Sequence, residues 1–88
     1  MGGREFVSEM ENVLSSLGDR LKEPDRASVL NFMEVGEYEL AVDTLCEQLY
    51  EYEVELLSKE RESILQLVRW LGLSEEQYGH VLSRAGPG

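Results

Sequence analysis

The chain has 88 residues, of which 18 are acidic and 8 are Lys or Arg, so its formal net charge is −10. Such a surface repels nucleic-acid phosphates and anionic lipid headgroups and attracts basic partners, so neither direct nucleic-acid binding nor membrane binding is expected. The single cysteine, Cys46, excludes an internal disulfide and a multi-cysteine zinc site, and an apolar fraction of 42% is that of an ordinary globular chain.

The hydrophobic pattern predicts one all-α domain over residues 1–88, a bundle of four to five short helices, with ends 1–3 and 85–88 frayed. The first helix is expected over Arg4 to Leu17, where Phe6, Met10, Val13, Leu14 and Leu17 recur at helical spacing. Gly18 supplies its stop. A second is expected over Pro24 to Val35, with Pro24 in the first turn and Ala27, Leu30 and Met33 as its inner stripe beside Val29. Gly36 ends it. The third covers Glu37 to Glu53 and turns Tyr38, Ala41, Leu45, Leu49 and Tyr52 inward.

The fourth spans Lys59 to Leu71 behind Ser58 as N-cap, with Ile64, Leu67, Val68 and Leu71 inside and Gly72 as terminator. The fifth opens with Ser74 and Gln77 in capping-box spacing and carries Tyr78, Val81 and Leu82. Trp70 lies off the centre of its apolar stripe and is expected to pack on that fifth helix. Val54-Glu55-Leu56-Leu57 is the one stretch that reads equally as strand or helix. The charged Arg4 and Glu5 leave no signal-peptide stretch, and no run approaches the roughly 20 apolar residues of a membrane helix. With a lone cysteine as well, a cytoplasmic location is expected.

The charge is concentrated. Between Glu34 and Ser58 stand eight acids and no Lys or Arg. At about 100° per residue, Glu39, Asp43, Glu47 and Glu51 fall in one stripe on the third helix. Like charges at that spacing oppose one another by a few tenths of a kcal/mol, roughly, per pair. A helix selected for its own stability would mix signs, so the stripe reads as a surface for an external cation. The same wheel places Cys46 and Tyr50 within the stripe and Leu40 at its edge. Tyrosine is a common interface anchor. The candidate partner-binding residues are therefore Glu39, Leu40, Asp43, Glu47, Tyr50 and Glu51.

The pattern for catalysis is thin, and an enzyme is not expected. The only histidine is His80, near the C-terminus. Carboxylates around Cys46 would raise its thiol pKa and blunt it as a nucleophile. There is no Gly-rich phosphate loop and no calcium-binding loop signature. Helical carboxylate metal sites usually add Glu-x-x-His motifs, which are absent, so neither a metal nor another cofactor is expected.

The stretch Asn31 to Leu73 contains Glu34-Val35-Gly36-Glu37-Tyr38, then Ala41, Leu45-Cys46-Glu47-Gln48-Leu49-Tyr50-Glu51, Ile64 and Leu71-Gly72-Leu73. It resembles the MafI-like family of bacterial immunity proteins of polymorphic and contact-dependent toxin systems. The likeness covers about half the chain, and its most distinctive run is Gly36-Glu37-Tyr38 to Leu49-Tyr50-Glu51. The resemblance implies a small helical protein that binds the C-terminal domain of a cognate toxin, often a basic nuclease. The paired-tyrosine Tyr-Tyr-Pro signature of colicin DNase immunity proteins does not occur here, so their contact residues are not carried over.

The sequence thus points to toxin neutralisation through an acidic helical face. An acidic adaptor or nucleic-acid-mimicking regulator of another basic protein is the alternative. Monomer and homodimer are both compatible with the pattern.

Overall fold

Phe6, Met10, Val13, Leu14 and Leu17 are all buried, and they define the inner face of the first helix, α1 (Gly3–Leu17). A single 3-10 turn (Gly18–Arg20) comes next, then α2 (Glu23–Glu34), α3 (Tyr38–Glu51) and α4 (Ser58–Trp70). A second 3-10 turn (Glu75–Tyr78) runs into the short α5 (Gly79–Leu82). This computed structural model describes residues 3–83, and among them every regular element is helical. Gly3, expected in a frayed end, opens α1; the remaining expected frayed positions, 1–2 and 85–88, lie outside the described residues.

The helices associate in two pairs. α1 packs on α4, far away in sequence, and α2 packs on its immediate successor α3. The α5 segment closes against α3 and α4. One hydrophobic cluster joins them, drawing on every α-helix and on Leu21, Val54 and Leu56 between helices. The connector 54–57, ambiguous in the sequence, is therefore part of the core wall: Val54 and Leu56 turn inward while Glu55 and Leu57 face out.

Three helix ends share one device. After α2, the Glu37 N–H donates to the Phe32 carbonyl and the Gly36 N–H to that of Met33. After α3, Val54 donates to Leu49 and Glu53 to Tyr50; after α4, Leu73 donates to Val68 and Gly72 to Arg69. This paired closure satisfies carbonyls the helix leaves open and needs a left-handed residue. Gly36 (φ 79°) and Gly72 (φ 69°) fill that position without strain, but at α3 it falls to Glu53 (φ 51°). That turn ends α3 at Glu51, two residues before the sequence suggested, and leaves Tyr52 outside the core, 48% exposed under the Lys22 ammonium at 4.8 Å.

Other expectations shift with packing. On α2 the buried residues are Val29 and Met33, spaced by four, while Ala27 and Leu30 are exposed. The N-cap of α4 is Leu57 rather than Ser58, and Glu60 reaches back to accept the Leu57 N–H at 2.8 Å. Ser74 forms no side-chain cap, and a 3-10 turn stands behind it in place of the expected capped α-helix. Trp70 leans on Phe6 of α1 (ring centroids 6.5 Å), which itself stacks on Tyr38 of α3 at 4.6 Å.

Arg20 ties α1 to α4. Its guanidinium grips Glu60 with both terminal nitrogens, one at 2.9 Å to Oε1, and also donates to the Ser16 carbonyl (2.9 Å) and the Glu55 carbonyl (3.0 Å). The Ser16 hydroxyl donates to the other Glu60 oxygen. Glu60 is only 1% exposed, so burial alone would raise its carboxyl pKa. The hydrogen bonds from Arg20, Ser16 and the Leu57 N–H outweigh that and hold it below its ordinary value.

Candidate protein-binding face

The acid-rich run folds into α3, and the helix divides its residues between two faces. Ala41, Val42, Leu45, Cys46 and Leu49 are buried. On the opposite side Glu39, Glu47 and Glu51 are exposed, with Leu40 at 44% and Tyr50 at 48%. Large apolar side chains left this open, within a ring of carboxylates, make a mixed apolar and anionic surface.

No cation of the protein answers these carboxylates among the described residues. The ion pairs are Arg20–Glu60, Arg26–Glu23, Arg61–Glu62 and Arg69–Glu75, and none reaches α3. Most of the chain's few arginines are engaged elsewhere. The exposed acids of α3 therefore keep their field for whatever approaches from outside.

Two of the residues placed in the stripe by the helical wheel, Cys46 and Asp43, behave differently. Cys46 is 2% exposed and belongs to the core rather than to the stripe. Burial, and secondarily the Asp43 charge, push its thiol up to about 12. Asp43 is half-buried and accepts a short hydrogen bond from the Tyr78 hydroxyl. Burial and then Asp43 raise the Tyr78 pKa, so the phenol stays protonated and donates. Asp43 is thus a structural anchor for the α5 segment as well as a member of the acidic row.

Tyr50 stands at the edge where α5 arrives. The His80 ring meets it edge-on at 4.8 Å, with the planes 79° apart. His80 is exposed, so this contact steadies the outer position of Tyr50 without closing it off. The face thus consists of Leu40, Glu47 and Glu51 on one flank and Glu39, Asp43 and Tyr50 on the other, bordered by His80. Periodicity on α3 alone could not reveal the contribution of α5. Helix pattern also gave no signal for the Ser16–Arg20–Glu60 cluster, whose partners stand 40 and 44 residues apart.

The chemistry available here is recognition: carboxylates for Lys and Arg, with a phenol ring and a leucine for apolar contact. Among the described residues no group of three or more His, Cys, Asp or Glu side chains comes together to hold a metal ion, and no helix is long and apolar enough to cross a membrane. Searches of family models, characterised proteins and solved structures find no match to this chain.

Proposed function

We propose that this protein is an immunity protein, which binds the catalytic domain of a cognate toxin, a basic nuclease, and neutralises it through the exposed face of α3. The observation that carries this reading is the face itself: Leu40 and Tyr50 stand open among Glu39, Glu47 and Glu51, which no Lys or Arg of the described chain pairs. A nuclease holds phosphates with Lys and Arg, and those cations would meet the carboxylates in place of nucleic acid. Desolvated apolar contacts at Leu40 and Tyr50 would supply the hot spot. The resemblance of residues 31–73 to MafI-like immunity proteins agrees with this role and rests on residue pattern, not on exposure.

The test is co-expression with the neighbouring toxin candidate carrying an inactivating mutation, followed by calorimetry on the purified pair. A stoichiometric complex is expected. Tyr50→Ala should weaken it by about 2 kcal/mol, the size of a hot-spot loss. Glu47→Lys with Glu51→Lys should weaken it further. Asp43 is the wrong position for charge reversal, because its loss also releases Tyr78. Unchanged affinity in the Glu47/Glu51 reversal would remove α3 as the interface. A complex formed only with a regulatory DNA- or RNA-binding protein would instead favour the adaptor role.

A further inference from the structure

A second surface lies on the other side of α2. Val7, Met10 and Glu11 of α1 and Leu30, Met33 and Glu34 of α2 line a groove of about 250 Å³. It exists because α1 packs on α4 and α2 on α3, so the seam between α1 and α2 is not itself a close helix pair. Arg26 ties the two helices at one end of the seam by donating to the Leu14 carbonyl at 3.3 Å and the Gly18 carbonyl at 2.7 Å. Farther along, Leu30 stands 41% exposed at the groove, because α2 turns Val29 and Met33 inward instead.

The floor of the groove is apolar, and among the described residues its only charged lining side chains are the two acids Glu11 and Glu34, both exposed. That combination selects its occupant. A second copy of the chain would bring the same acids, and a net charge of −10, against themselves. An apolar side chain flanked by Lys or Arg meets the floor and both rim charges at once.

We infer that the α1–α2 groove is a second docking site, separate from the α3 face, for an amphipathic helical segment of a partner that sets one apolar side chain against Leu30 and Lys or Arg against Glu11 and Glu34. The inference does not depend on the identity of the partner engaged by α3, since it concerns different helices and different acids.

The probe is a synthetic Lys/Leu peptide with its leucines at i, i+4 and i+7 spacing, so that they form one helical stripe. The control has the same composition with the leucines rearranged to destroy the stripe. Methyl and amide NMR spectra of the intact protein are recorded with each. Binding of the striped peptide should shift Val7, Met10, Leu30 and Met33, and should exceed that of the control by about tenfold.

Leu30→Asp and, separately, Glu11→Lys with Glu34→Lys should each lower the affinity by about tenfold, whereas Leu57→Asp, on neither surface, should leave it unchanged. All are exposed positions, and circular dichroism checks that the helices persist. Equal binding of the two peptides, shifts centred on Glu39, Glu47 and Tyr50, or no binding at all would overturn the inference. So would a concentration-dependent dimer of the free protein with the groove at its centre.

Discussion

Glu60 and Arg20 illustrate how little of a residue's role is visible from its type. A carboxylate removed from water costs several kcal/mol, roughly, unless its oxygens are filled and its charge answered. Here Arg20, Ser16 and the Leu57 N–H do both. Arg20→Ala should therefore destabilise the protein by about 3 kcal/mol in urea titrations, since it strands a buried charge. The pH dependence comes from the lowered folded pKa of Glu60. On acidification the unfolded chain takes up that proton first, so the contribution of Glu60 is complete above its ordinary value of 4.5 and fades as pH falls through the lower folded value. The stability difference between the native protein and Glu60→Gln should shrink over that acid range. Cys46, with its thiol pushed up to about 12 inside the core, should resist maleimide at mildly alkaline pH and react only as the protein unfolds. Rapid labelling of the folded protein would mean that the α5 segment opens from α3.

At the scale of elements, what could be read from the sequence depended on how many neighbours each helix has. The pattern of α1 is clear because one face is apolar and the rest polar, and all five expected residues are buried. On α2 two stripes compete: Ala27-Leu30-Met33 and Val29-Met33 are nearly equivalent as patterns, and only packing against α3 chooses the second. On α3 the exposed acids at 39, 47 and 51 were legible, along with Leu40 and Tyr50, because solvent is the default for an acid-rich face. The fate of Asp43 was not, because it is set by Tyr78, in a 3-10 turn 35 residues downstream that is too short to announce its docking, and that of Cys46 was not, because a small side chain at the margin of the stripe is buried by packing rather than by pattern. The end of α3 was misplaced for a backbone reason, the left-handed turn at Glu53 where the other two helices use glycine. Glu53→Gly should relieve that turn and raise stability by about 1 kcal/mol, measurable as an increased urea midpoint at constant slope.

Over the whole molecule, charge acts in two opposed senses. The folded protein concentrates a net −10 within principal dimensions of 31 × 26 × 19 Å, and its exposed α3 acids have no internal cation among the described residues. Self-repulsion is screened by salt, so the free protein should melt higher as ionic strength rises from a few millimolar to about 0.15 M, where the screening length is roughly 8 Å. Affinity for a basic partner should fall over the same range. A melting temperature insensitive to salt would show that the acids are compensated within the fold. The pairing of α1 with α4 also imposes an order on synthesis. Glu60 lies 40 residues beyond Arg20, a stretch that a ribosome takes on the order of several seconds to add. During that interval the apolar stripe of α1 lacks its main partner, while α2 and α3, neighbours in both sequence and space, can already form a hairpin. The latch joining α1 to α4 can close only once α4 is present, so a chain interrupted before Glu60 lacks the carboxylate that Ser16 and Arg20 hold.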